Sequence, residues 1–171
     1  MPTKESSSVL IVPNIRSAIN VGALFRTADA VGISKIFLTG YTPRPTDRFG
    51  RVQKDIAKAA LGAEEFVPWE YKKSLLPLIT SLQKDGFTVV ALEQDSRAVD
   101  YRKVSKLLSA PAKNSGGTRK IAFIVGPEVT GLSKKVLNAC DLITFIPMHG
   151  KKESLNVSVA CGVVLFRILR A

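Results

Sequence analysis

The sequence is poor in the residues that build covalent or metal-held folds: it has two cysteines, Cys140 and Cys161, and a single histidine, His149. One cysteine pair makes no disulfide framework, so a reduced, cytosolic interior is the natural reading. A lone histidine cannot assemble the usual His/Cys cluster, so no metal is expected in the chemistry. Long apolar runs are also missing. Val157 to Phe166 is stopped by Arg167, well short of the ~20 residues that span a bilayer. Met1 to Ser8 is polar and contains Glu5, unlike the apolar core of a signal peptide. A soluble, cytoplasmic protein with no membrane partner is expected.

Acidic residues are scarce. Lys and Arg outnumber Asp and Glu by 25 to 14, a formal charge of +11. Such an excess suits a polyanion, because each neutralised phosphate releases counterions; plain solubility would account for it equally well. At 171 residues and 46% hydrophobic, the chain has the size and core of one domain, assigned to 8–171 after a loose tail at 1–7.

Apolar runs at Val9–Val12, Lys35–Thr39, Phe87–Leu92, Ile121–Val125 and Leu142–Ile146 read as strands. Helical period marks 17–31, 51–61, 71–84 with a break or kink at Pro77, 133–139 and 154–169. The turn residues of 40–50 and 110–119 read as surface loops. Alternating strands and helices predict an α/β fold with a parallel sheet covered on both faces. Ligands of such sheets bind beyond the carboxyl ends of the strands, which directs attention to the residues after Val125 and Ile146.

Four features could carry chemistry. On the first helix, Val21, Leu24, Phe25, Ala28 and Val31 form a core stripe, with Gly22, Arg26 and Asp29 opposite. Arg26 could be an ordinary solvated arginine. Gly22, one turn earlier, costs a helix ~1 kcal/mol and implies the close approach of a ligand or another backbone. The second feature is Gly126-Pro-Glu-Val-Thr-Gly131, between a buried strand and a helix. Leu132 and Ser133 stand where a phosphate-binding loop needs Lys-Ser/Thr, so a nucleoside triphosphate site is not expected. Glu128 could be catalytic or simply a helix-start carboxylate. In the third, Ile146-Pro-Met-His-Gly150 leads to Ser154-Leu-Asn-Val-Ser-Val-Ala160, the start of a helix that is apolar nearly all round. Capping accounts for Ser154, but Asn156 suggests a ligand at the helix start. The fourth is a basic ridge of Arg44, Arg48, Arg51, Lys54 and Lys58, joined by Arg16, which phosphate or ordinary solvent could face.

Together, Asn20-Val-Gly-Ala-Leu-Phe-Arg-Thr-Ala28, Gly126–Gly131 and Ile146–Met148 with Ser154–Ala160 resemble the three motifs of the SpoU/TrmH family of SPOUT RNA methyltransferases, in order and over the chain from Val9 onward. The resemblance implies a C-terminal deep trefoil knot, a homodimer with its active site at the subunit boundary, and S-adenosylmethionine as methyl donor. Donor contacts would come from Leu92, Gly126, Gly131, Ile146, Met148, Ser154, Leu155 and Asn156. The catalytic set would be Asn20, Arg26, Glu128, Ser154 and Asn156, with tRNA or rRNA as partner through Arg16, Arg44, Arg48, Arg51, Lys54 and Lys58.

The implied reaction is transfer of a methyl group to a ribose 2′-hydroxyl. In the family the residue matching Arg26 is proposed to take the hydroxyl proton, yet a guanidinium stays charged in proteins. A grip on a neighbouring phosphate, with stabilisation of the developing alkoxide, suits Arg26 better. The proton would pass to water, a phosphate oxygen or Glu128. These 171 residues leave no room for the RNA-binding domain that larger members append. A non-catalytic RNA-binding protein on the same fold is the alternative. A Rossmann-type oxidoreductase ranks lower, since no Gly-x-Gly-x-x-Gly follows an early strand.

Overall fold

The computed structural model describes residues 7–108 and 119–169. Strands β1 (Ser7–Pro13), β2 (Lys35–Thr39), β3 (Trp69–Lys72), β4 (Thr88–Leu92), β5 (Val99–Asp100), β6 (Lys120–Val125) and β7 (Leu142–Phe145) form one sheet. Their order is β3-β2-β1-β6-β4-β7-β5, and every pairing between them is parallel. The chain runs outward from β1 to β3, then returns past β1 to lay down the other four strands. The direction therefore switches beside β1, at the β1/β6 junction.

Alternate residues of the central strands enter cores on opposite faces of the sheet, as a period of two requires. Leu10, Val12, Ile36, Leu38, Ile121 and Phe123 pack with helices α1 (Ala18–Val31), α2 (Lys54–Ala60), α3 (Ala63–Phe66), α5 (Tyr101–Leu107) and α7 (Val157–Leu169). Val9, Ile11, Val89, Ala91, Ala122 and Ile124 meet α4 (Leu75–Lys84) and α6 (Lys134–Ala139) on the other face. Helix α1 starts where the Ser17 side chain accepts from the Asn20 amide at 3.2 Å. It ends at Gly32, whose φ of 75° lets its amide turn back to the carbonyls of Ala28 and Asp29.

Several expectations need correction. The segment expected to be helical from 71 begins as the parallel edge strand β3, and α4 starts only at Leu75. Pro77 then lies in its first turn, where backbone N–H groups have no helical partner, so Pro77 removes no helical hydrogen bond. Helix α2 begins at Lys54, not at residue 51, which leaves Arg51 and the exposed Val52 in the preceding loop. Ser7, assigned to the tail, opens β1 opposite Lys120, while residues 1–6 lie outside the described residues, as do 110–118 of the expected surface loop. Short α3, β5 and α5 carry too few residues to show a period in sequence. Helix α7 starts at Val157, not Ser154, and is not buried all round: Cys161, Val164, Leu165 and Ile168 face the core, but Val159, Val163 and Phe166 are exposed.

Among the described residues, no helix is long and apolar enough to cross a membrane. Burial pushes both thiols up to about 12, with the Asp141 charge adding to the effect at Cys140, so neither cysteine offers a thiolate near neutral pH.

Candidate active site

Beyond the carboxyl ends of β4, β6 and β7 lies a cavity of about 520 Å³. Its walls are the strand ends Leu92 and Val125, the loop from Gly126 to Gly131, Ile146 and Met148, and residues 154–157. Leu92, Gly126, Gly131, Ile146, Met148, Ser154, Leu155 and Asn156 all line it. The volume lies within the ~300–1,000 Å³ typical of small-molecule sites.

The cavity also holds a residue that the sequence reading missed. Glu93 follows Leu92 and accepts a hydrogen bond from the Leu132 amide at 2.8 Å through Oε2, and from the Gln94 amide at 3.0 Å through Oε1. A Cβ on Gly126 or Gly131 would lie 2.7 or 2.6 Å from that carboxylate, and Gly131 also needs its φ of 63°. Both glycines are thus bare to admit Glu93, which ties the loop to the end of β4. The strand-end rule, applied after Leu92 as well as after Val125 and Ile146, finds Glu93 from sequence.

On the lip of the cavity, three distant segments meet in one line of hydrogen bonds. Asn20 Nδ2 donates to Glu128 Oε1 at 3.0 Å, and Asn156 Nδ2 donates to Asn20 Oδ1 at 3.1 Å. Asn156 Oδ1 in turn accepts from the Ser158 amide at 2.9 Å and from Ser158 Oγ at 2.6 Å. Asn156 is therefore the cap of α7, the role expected of Ser154, and it is exposed rather than buried.

Burial pushes the Glu128 carboxyl up, but hydrogen bonds from Asn20 and from backbone amides, including those of Arg16 and Ser17, outweigh it and hold the group below its ordinary value. Such a carboxylate is an anchored anion and a weak proton acceptor. Its contribution to stability is present above the ordinary glutamate value and lost as pH falls through the lower native one. The stability gap between the parent and Glu128→Gln, read by urea unfolding, is expected to be steady around neutrality and to shrink in acid. A gap that widened on acidification would refute the assignment.

Arg26 is exposed, and among the described residues its guanidinium has no hydrogen bond or ion pair. It does not line the cavity. Six residues separate it from Asn20, which places it about 9 Å along α1 and about 120° around the axis. The same spacing rule sets Ile19, Arg26 and Ala30 in one exposed row, flanked by α7 and α2. Gly22 is buried against α2, where a Cβ would lie 2.5 Å from the Ile56 carbonyl oxygen. The close approach it serves is that of a helix backbone.

The basic residues Arg16, Arg44, Arg48, Arg51, Lys54 and Lys58 are all exposed. Arg51 Nε pairs with Asp47 at 2.7 Å, the Arg44 guanidinium lies 3.7 Å from the Tyr71 ring centre, and the Arg16 amide donates to Glu128 at 3.4 Å.

Comparison with known proteins matches residues 7–166 to the model of the SpoU rRNA Methylase family. A protein of Archaeoglobus fulgidus named as an uncharacterised tRNA/rRNA methyltransferase is 34% identical over 96% of this chain and 65% of its own length. A Staphylococcus aureus protein named for the TrmH family of tRNA/rRNA methyltransferases is 32% identical over 96% of the chain and 59% of its own length. The chain thus spans about three-fifths of the length of such curated relatives. Among solved structures, an AdoMet-bound rRNA methyltransferase from Sinorhizobium meliloti superposes with a TM-score of 0.78 at 25% identity, over 97% of this chain and 57% of that one.

Proposed function

Because this chain belongs to the SpoU rRNA Methylase family, we propose that it transfers a methyl group from S-adenosylmethionine to a ribose 2′-hydroxyl of tRNA or rRNA, as a homodimer. The observation that carries this reading is the hydrogen-bonded line Glu128–Asn20–Asn156, closed between three distant segments on the lip of one cavity.

The residues present fit the donor. Leu92, Ile146, Met148 and Leu155 offer apolar walls to an adenine ring, and the carboxylates of Glu93 and Glu128 suit the cationic end of the molecule. When bound, S-adenosylmethionine supplies an electrophilic methyl group on a sulfonium that leaves as a neutral thioether. The protein then has to orient the ribose oxygen and stabilise its developing charge.

Asn20 and Asn156 hold the lip in register, and Glu128 anchors them. The Glu128 carboxylate is taken up by the Asn20 side chain and the Arg16 amide, and the hydroxyl proton is released to solvent as the methyl group is transferred. Arg26 does not line the cavity of its own chain, and its guanidinium is brought to the reaction by the second subunit. The uncovered apolar stripe Val159, Val163 and Phe166, with Ile19 beside Arg26, supports that dimer face. The strand order, in which β6 inserts beside β1 and β7 inserts beside β4, is compatible with the trefoil knot that the motifs imply.

Two measurements test the reading. Calorimetric titration with S-adenosylmethionine is expected to show one donor per chain. Incubation of total tRNA and rRNA with labelled donor, followed by alkaline hydrolysis, should leave label in resistant dinucleotides. A purified protein that binds no donor would instead be an RNA-binding protein on this fold.

A further inference from the structure

The loop from Gly40 to Gln53 presents aromatic rings among its arginines. Phe49 is 68% exposed and Tyr41 57% exposed, an unfavourable place for large apolar rings unless something covers them. Their display is built. The Asp47 carboxylate accepts from the amides of Phe49 at 2.8 Å and Arg51 at 3.0 Å. The Gly50 amide returns to the Asp47 carbonyl at 3.0 Å, Gly50 has a φ of 77°, and Thr46 bridges Val52 across the base of the turn. Phe49 therefore stands at the tip of a closed turn, with the guanidinium carbons of Arg48 and Arg51 at 4.7 and 5.3 Å from its ring centre.

A continuous path leads from the cavity to this loop. Glu128 on the lip accepts from the Arg16 amide, the Arg16 guanidinium lies 6.0 Å from the Tyr41 ring centre, and the Tyr41 amide donates to Asn14 Oδ1 at 3.2 Å. Tyr71 Oη donates to the Gly40 carbonyl at 3.0 Å and carries Arg44 over its ring. Arg16, Tyr41, Tyr71 and Arg44 thus connect the lip of the cavity to the start of the loop, whose tip carries Phe49 between Arg48 and Arg51.

A duplex offers only its backbone and groove edges to such a surface, whereas an unpaired strand offers base faces to the rings and phosphates to the arginines. We propose that Tyr41 and Phe49 stack with unpaired bases flanking the target nucleotide, so that the substrate is a loop or single-stranded segment of RNA. This rests on RNA being the partner, and it names the form of RNA.

The test uses the full chain and two fluorescent probes, a mixed-sequence RNA 20-mer and the same strand annealed to its complement. The parent is expected to prefer the unpaired strand. Phe49→Ala should weaken that binding about tenfold, since one base stack is lost, with the salt dependence unchanged because no charge is removed. Phe49→Trp should restore it, and Arg48→Gln should instead lower the salt slope by about one. Equal affinity of Phe49→Ala and parent for the unpaired strand, or equal affinity of the parent for both probes, overturns the proposal. Titration with S-adenosylmethionine runs in parallel: loss of donor binding by the parent sinks the methyltransferase reading and leaves the stacking result standing on its own.

Discussion

Exchange of Arg26 for lysine is expected to slow methyl transfer by about 10²- to 10³-fold while S-adenosylmethionine binds as before, the size of loss seen when one preorganised donor to a developing oxyanion is removed. Charge is conserved in this substitution, so the loss would report geometry. The planar guanidinium can grip a phosphate with two parallel hydrogen bonds and still aim a third at the ribose oxygen, whereas an ammonium is a compact point charge. Donor affinity should hold because the guanidinium is assigned to the phosphate and the ribose oxygen, while the donor contacts are assigned to the cavity lining, which does not include Arg26. Single-turnover transfer to an RNA identified by the labelling experiment measures the effect. A near-normal rate would remove the fork from the mechanism. Mixing an Arg26→Ala chain with an Asn156→Ala chain adds a sharper reading, since partial recovery in the mixture requires the two residues to act across subunits.

Substitution of Gly22 by alanine should destabilise the fold by about 2 kcal/mol and lower the melting temperature by roughly 4–8 °C. Helix propensity alone argues the opposite, with a gain of ~1 kcal/mol for alanine over glycine. Packing decides the sign. The new Cβ would meet the Ile56 carbonyl oxygen at 2.5 Å, the Ala59 Cβ at 2.7 Å and the Ala60 amide nitrogen at 3.1 Å, none of which is the end of a flexible side chain. Helix α2 would have to move, and it carries Lys54 and Lys58. A thermal melt that rose would show that α1 and α2 tolerate separation.

The glycines illustrate how far the sequence could be read. Gly22 stood out because glycine inside a helix is costly, and both a ligand and a backbone were candidates for its neighbour; the fold brings α2 there. Gly126 and Gly131 were legible as a loop between a strand and a helix, but the group they admit, Glu93, sits far back in the chain at the end of β4. Ser154 and Asn156 shared the signal of a helix start, and only the hydrogen bonds to Ser158 identify Asn156 as the cap. The helix expected from residue 71 lost its opening residues to β3, because pairing with β2 at the sheet edge outweighs a local period.

By itself the sequence determined the parallel α/β class, the positions of the long strands and helices, and the three segments able to form a site. Each of these rests on period, burial and turn chemistry, which are local properties of the chain. Tertiary structure alone decided the sheet order, the meeting of Asn20, Glu128 and Asn156, the place of Glu93, and the position of Arg26 outside the lining of the cavity. Those depend on contacts between residues far apart in sequence, whose pairing is fixed by packing over the whole core and leaves no mark in any one window of the chain.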